Sequence, residues 1–148
     1  AERNGSRRRC WIGACLARGP AAPVLGAGQH GSTFGVNPLV CATALAVVKT
    51  VTEQALGENA VAMGQLIVEA LRADDAAAAN IAEIRGRGLM LGIQLHRDCG
   101  ELVQRAMDAG LLINVTAGNT IRLLPPLVIN ARQASDLAGI LAQIIREA

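Results

Sequence analysis

Between Asn37 and about Ala55 apolar residues run round every side of one helical period: Leu39, Val40, Ala42, Ala44, Leu45, Val47 and Val48. Such a pattern predicts a helix buried on most sides, one that a chain of this size has trouble covering alone. Gly57 then separates a second helix, about Glu58 to Arg72. Its apolar stripe is Met63, Leu66, Ile67, Ala70 and Leu71, at three- and four-residue spacing. An alanine-rich connector, 74–79, leads into two segments with strand character, 81–85 and 89–96. In the second, Leu89, Leu91, Ile93 and Leu95 alternate with Met90, Gly92, Gln94 and His96. Asp98, with Glu101 as capping-box partner, opens a short helix with stripe Leu102, Val103, Ala106 and Met107, ended by Gly110. Segments 111–115 and 120–124 read as strands, the latter stopped by Pro125-Pro126. A last helix from near Asn130 carries Ala134, Leu137, Ala138, Leu141, Ile144 and Ile145 on one stripe. Upstream, Ile12 to Leu16 reads as a short strand and 19–28 as a Gly/Pro-rich loop. The second half is expected to be a small α+β layer, a mostly antiparallel sheet with helices on one face.

Composition narrows this only slightly. Trp11 and Phe34 are the only aromatic residues, so the core must be built from Ala, Val, Leu and Ile. A net charge of +2 gives no global field that points to nucleic acid or a membrane surface. Cys10, Cys15, Cys41 and Cys99 are scattered without a C-x-x-C pair, and the histidines do not complete a zinc site. Reduced thiols, a cytoplasmic location and no metal are therefore expected. No membrane-spanning run is expected, and the basic start lacks the apolar segment of a signal peptide.

Candidate chemistry lies in two places. His30-Gly31-Ser32-Thr33-Phe34-Gly35-Val36-Asn37-Pro38 sets small and hydroxyl-bearing residues just before a helix, with Asn37 as N-cap and Pro38 in the first turn. It reads either as an anion-gripping loop or as an ordinary capped turn. Arg122 sits in the otherwise apolar run Ile121-Arg122-Leu123-Leu124, so it is either on the strand's exposed face or aimed at a carboxylate, which guanidinium binds in a two-bond fork. Gly86-Arg87-Gly88-Leu89-Met90-Leu91-Gly92 does not keep dinucleotide-fingerprint spacing and joins two strands; turn and packing glycines explain it. His30 has no neighbouring nucleophile except Ser32, His96 reads as a surface residue, and Arg7-Arg8-Arg9 lacks aromatic interleaving for nucleic acid.

Four landmarks in order resemble the C-terminal part of the class III pyridoxal-phosphate-dependent aminotransferases: Ile12-Gly13-Ala14, the loop 30–38, Ile84-Arg85-Gly86-Arg87-Gly88-Leu89-Met90-Leu91-Gly92, and Ile121-Arg122-Leu123-Leu124-Pro125-Pro126-Leu127. Within the class the wording is most similar to the acetylornithine branch. Val36 stands where the family usually has glycine. The resemblance implies a fold-type I architecture: 1–11 divergent and basic, 12–56 the end of a large cofactor-binding domain with its connecting helix, 57–148 the small C-terminal α/β domain. It implies amino transfer from N2-acetylornithine to 2-oxoglutarate, as in arginine biosynthesis, with ornithine or 4-aminobutyrate as sister donors, in a homodimer. Thr33 resembles the residue that reaches the cofactor phosphate in the other subunit's site, Ser32 a substrate contact beside it, and Arg122 the arginine at the substrate-carboxylate side.

The resemblance also implies a conflict. The family's imine-forming lysine opens a Lys-Gly-x-Gly-Gly-Gly-x-Pro-Ile-Gly-Ala segment; counted back from Ile12, its position is Asn4, which cannot form an imine. Arg7, Arg8 and Arg9 fall where the family has glycines. Lys49, the only lysine, lies inside the apolar helix. No catalytic residue is therefore expected in this chain, which reads as inactive alone, with a non-catalytic remnant or dimerising module as the alternative.

Overall fold

The computed structural model describes residues 12–24, 26, 28, 29, 31, 33 and 35–147. The chain divides into two units, Ala1–Glu53 and Gln54–Ala148.

In the first unit the expected strand from Ile12 to Leu16 does not form. The segment is irregular and exposed, because no described segment offers it a ladder of hydrogen bonds. A 3-10 turn at Gly19–Ala21 interrupts the loop that follows. Helix α1 (Pro38–Glu53) starts as its sequence dictates. Asn37 Oδ1 accepts from the backbone N–H of Leu39 at 3.0 Å and of Val40 at 3.4 Å, while Pro38 has no N–H to satisfy. The hydroxyls of Thr43, Thr50 and Thr52 donate back to the carbonyls of Leu39, Ala46 and Val48. These threonines therefore turn their polar atoms inward, which makes the helix surface still more apolar. Contrary to the expectation of burial on most sides, α1 carries no buried residue, and Leu39 is 70% and Val48 61% exposed.

Just before α1, Val36 holds φ +58°. That left-handed conformation suits glycine and strains a β-branched residue. It is the loop position at which the resemblance leads one to expect glycine.

The second unit begins with α2 (Leu56–Ala73). The break before it falls at Ala55, in a left-handed conformation at φ +50°, rather than at Gly57. Ala55 O accepts the first helical bond from Asn59 N at 3.1 Å, which draws Gly57 into the opening turn. The buried stripe of α2 is Leu56, Ala60, Gly64, Ile67 and Leu71; Ala70, expected inside, is exposed. Asp74 caps the short α3 (Asp75–Ala78), accepting from Ala77 N at 3.1 Å.

Strands β1 (Ile81–Arg87) and β2 (Met90–Leu95) form an antiparallel hairpin. Helix α4 (Leu102–Asp108), strand β3 (Asn114–Thr116), strand β4 (Thr120–Leu123) and helix α5 (Ala131–Arg146) complete the unit. The sheet order is β1-β2-β4-β3, every pair antiparallel.

Two details differ from the sequence expectation. Asp98 and Glu101 do not form a capping box: α4 begins only at Leu102 without a side-chain cap, because Cys99 is buried with its N–H bonded to Gly118 O, and Arg97 takes the Glu101 carboxylate at 3.1 Å. Segment 111–113 is not strand either, since Leu111 N is used by Ala106 O at the end of α4, so β3 starts at Asn114.

One face of the sheet is the core. Leu91, Ile93 and Leu95 of β2 with Ile121 and Leu123 of β4 pack against Ile67 and Leu71 of α2, Leu102 of α4, and Leu141 and Ile145 of α5. At about 1.5–3 kcal/mol per fully buried large side chain, this face is the main stabilising contact of the unit. Asn130 starts α5 with a capping box: its Oδ1 accepts from Gln133 N, and Gln133 Oε1 accepts from Asn130 N, both at 3.0 Å. Three asparagines brace backbone that the ladders leave free. Asn59 Nδ2 donates to Leu127 O at 2.7 Å and Ile129 O at 3.0 Å, Asn80 Nδ2 to Ile145 O at 2.8 Å, and Asn119 Nδ2 to Leu95 O at 3.2 Å.

Candidate functional site

Strand alternation decides where Arg122 points. Ile121 and Leu123 on either side are buried against the helices, so Arg122 must emerge on the opposite, open face. In the ladder it stands opposite Gly92 of β2 on one side and Asn114 of β3 on the other. Gly92 in turn stands opposite Arg85 of β1. One row across the open face therefore reads Arg85, Gly92, Arg122, Asn114.

The two arginines of that row are not equivalent. Arg85 Nη1 donates to Glu83 Oε2 and to Gln94 Oε1, both at 2.7 Å. Its stem lies over Gly92: a Cβ on that glycine would stand 3.8 Å from Arg85 Cγ and 3.5 Å from Thr120 Cγ2. Two strand spacings, about 10 Å, separate the backbones of Arg85 and Arg122. Arg122 makes no ion pair among the described residues, so its planar fork of donors is available to a carboxylate. Arg122 is exposed on this face and has no ion pair among the described residues, which leaves both alternatives, surface residue and carboxylate contact, open.

Apolar residues adjoin this row. Met90 lies on the same face by alternation and Leu124 directly follows β4; they are 59% and 64% exposed. They border a groove of about 510 Å³ between the first turns of α2, the β1–β2 turn and the segment after β4, lined among others by Val61, Leu89, Pro125 and Leu127. The Gly86–Gly92 run is, as expected, a hairpin connection and not a nucleotide loop, with Gly88 and Leu89 in the turn. His96 is exposed.

Of the loop before α1, Thr33 is described, in a turn and exposed. Ser32 and His30 lie outside the described residues, as do Asn4 and Arg7-Arg8-Arg9. No cluster of three or more His, Cys, Asp or Glu side chains that could hold a metal ion occurs among the described residues. Likewise no single described helix is long and apolar enough to cross a membrane.

The residue set does not fit pyridoxal phosphate as it stands. Imine formation requires a lysine, and the only one, Lys49, lies on the exposed surface of α1. What the open face does offer is an anion contact at Arg122. Sequence reasoning missed the Arg85–Gln94–Glu83 cluster, which only the β1–β2 register brings together; the one signal for it was Gly92 at an outward position of an alternating strand.

Fold and residue pattern together define a class: the chain belongs to the class III aminotransferases. The sequence profile of the family Aminotransferase class-III matches residues 11–145. Pyridoxal phosphate is the cofactor of that class. Among its relatives, "Acetylornithine aminotransferase 1" of Bordetella pertussis is 49% identical over 136 residues, covering 92% of this chain and 35% of the relative. Acetylornithine aminotransferase of Methanothermobacter thermautotrophicus is 39% identical over the same length. Among solved structures, acetylornithine aminotransferase from Elizabethkingia anophelis superposes with a TM-score of 0.78 at 36% identity, covering 86% of this chain and 33% of that one. Ornithine aminotransferase from Toxoplasma gondii does so with a TM-score of 0.79 at 31% identity, covering 88% and 32%. The chain thus spans about a third of the length of the relatives it matches.

Proposed function

We propose that residues 12–148 are the C-terminal part of an acetylornithine aminotransferase, an enzyme that moves an amino group from N2-acetylornithine to 2-oxoglutarate in arginine biosynthesis. On this reading 12–56 ends the large domain and supplies its connecting helix, and 57–148 is the small domain. The observation that carries it is Arg122, held out on the open sheet face by its buried neighbours and without an ion pair among the described residues. A guanidinium so placed suits the carboxylate that every amino donor and oxo-acid acceptor of the reaction carries. Arg122 binds and orients that carboxylate. Thr33 and Ser32 serve the cofactor and substrate of the second subunit in a cytoplasmic homodimer. With Asn4 at the lysine position, no step of imine chemistry is assigned to this chain, and alone it is inactive.

The identities of 39–49% to acetylornithine aminotransferases favour that donor. A second reading, ornithine as donor, draws on the fold likeness to the Toxoplasma gondii ornithine aminotransferase. The test is a chimaera in which residues 12–148 replace the matching segment of the Bordetella pertussis relative. Transamination with N2-acetylornithine outpacing ornithine and 4-aminobutyrate supports the first reading, and the reverse order the second. The isolated chain should give no imine absorption with pyridoxal phosphate and no turnover; turnover there would refute inactivity.

A further inference from the structure

Resting on that reading, we infer that Arg85 is a second carboxylate-binding residue of the site: a dicarboxylate lies across the open sheet face with one carboxylate on Arg122 and the other on Arg85, over the bare backbone of Gly92, and Glu83 competes with it for Arg85.

Gly92 leaves a gap that the fold does not require. Glycine weakens a strand, and in a strand interior it often marks the close approach of a ligand. The usual structural reasons for it are missing here. Its φ is not in the left-handed region, and the nearest atoms a Cβ would meet are Thr120 Cγ2 at 3.5 Å and, at 3.8 Å, Cγ and the carbonyl oxygen of Arg85, all ordinary contact distances. The packing would accept a methyl group, yet the floor between the two arginines is open.

Charge and spacing select what lies on that floor. Arg85 and Arg122 flank Gly92 on one row, about 10 Å apart at the backbone. The two ends of a five-carbon dicarboxylate, each in a forked contact with a guanidinium, reach across about that distance. Arg85 spends only Nη1 on Glu83 and Gln94, so its Nε and Nη2 make no hydrogen bond among the described residues. Glu83 is the only acidic residue of the four strands. Its pair with Arg85 joins side chains 49% and 57% exposed, and a pair so exposed is worth little against an incoming carboxylate. A ligand with a single carboxylate uses Arg122 alone. Arg85 therefore separates the two substrates of the proposed reaction, since 2-oxoglutarate carries two carboxylates and N2-acetylornithine one.

The experiment titrates the 148-residue chain by NMR with 2-oxoglutarate and with 2-oxopentanoate, which has a methyl group in place of the far carboxylate. The parent should bind 2-oxoglutarate about tenfold more tightly. Arg85→Gln should remove that preference and leave 2-oxopentanoate binding as it was, Glu83→Gln should enlarge it, and Arg122→Gln should weaken both acids. Glu83→Gln keeps the test decisive if Arg85→Gln does not fold. In the chimaera, Arg85→Gln should raise the KM for 2-oxoglutarate and leave the KM for N2-acetylornithine unchanged. The inference is overturned if the parent binds the two acids alike, if Glu83→Gln brings no gain, or if Arg85→Gln lowers the melting temperature while the preference persists. Failure of the enzymatic reading looks different: a chimaera that never transaminates refutes that reading, while the preference of the chain for the dicarboxylate, and its loss in Arg85→Gln, still upholds the role of Arg85.

Discussion

Gly64 of α2 and Gly88 of the β1–β2 turn meet backbone to backbone. A Cβ built on Gly64 would collide with the Gly88 carbonyl oxygen, while Gly88, at φ +55°, rests over Ala60 one helical turn earlier. The hairpin that carries Arg85, Met90 and Gly92 is seated on α2 through this contact. Glycine inside a helix normally costs about 1 kcal/mol relative to alanine. Here the sign reverses: Gly64→Ala is expected to destabilise the unit by about 1–3 kcal/mol, the usual range for overpacking. Gly57→Ala, at a helical position with nothing within 4 Å, should be neutral or stabilising. Urea unfolding of the two variants checks the contrast.

Asp74 ties the α2–α3 junction to the end of α5. Its carboxylate accepts from Arg146 Nε at 3.1 and 3.0 Å and from Arg146 Nη2, besides capping α3. The Arg146 hydrogen bond, then the bond from Ala77 N–H, hold the Asp74 carboxyl below its ordinary pKa. A depressed carboxylate contributes stability that is present above its unfolded pKa and lost as pH falls through the lower folded value. Arg146→Gln should therefore melt below the parent at pH 7, with the gap closing as the pH is lowered past the ordinary aspartate range. Equal gaps at pH 7 and pH 2.5 would refute the pairing.

Arg122 and Ile121 adjoin in sequence and differ in consequence. Arg122→Gln should change stability by no more than about 0.5 kcal/mol, as expected of an exposed site with no ion pair among the described residues. Ile121→Ala should cost about 2–5 kcal/mol, because Ile121 is 0% exposed within the core face. Denaturation of both variants, with 2-oxoglutarate titrated against the parent and Arg122→Gln by NMR, separates a binding residue from a packing one.

Val36 holds its left-handed backbone at the mouth of α1. Val36→Gly should relieve on the order of 1 kcal/mol of strain and slow amide exchange at Leu39 and Val40, whose N–H groups Asn37 caps. Faster exchange in the variant would show that valine is better tolerated there than the geometry implies.

Residues 1–11 have a genetic test. The family profile begins at residue 11, and it is the resemblance alone that sets Arg7-Arg8-Arg9 against glycines. Tandem GGC glycine codons read out of register become CGG arginine codons. The coding DNA over this stretch should, in another frame, encode a lysine followed by a glycine-rich run; if it encodes neither, a genuine basic arm is the better explanation.

Periodicity made the second unit legible. The alternation from Leu89 to Leu95 and the stripe from Ala134 to Ile145 placed strand and helix correctly because each buries one face in the same core. Failures came where a backbone group was claimed from a distance. Leu111 looked like strand, but its N–H belongs to the end of α4, and Asp98 looked like a cap before Gly118 fixed Cys99. Gly64 gave no signal at all, since a close backbone approach exists only once α2 and the hairpin are packed. At the site, Arg122 was conspicuous as a charge between apolar neighbours. The bonds that occupy Arg85 depend on cross-strand register, which local pattern does not encode.

At the three bracing asparagines, loss of a side-chain amide would reverse a contact rather than merely remove one. Asn59, Asn80 and Asn119 each point amide hydrogens at backbone carbonyl oxygens. Hydrolysis of such an amide in storage leaves a carboxylate of the same shape, which can only accept at neutral pH. At each of these places attraction would become repulsion between oxygens, with a charge left partly buried and unpaired. Asn59 is the most consequential of the three, because one chemical event there would release both carbonyls that pin the segment between β4 and α5.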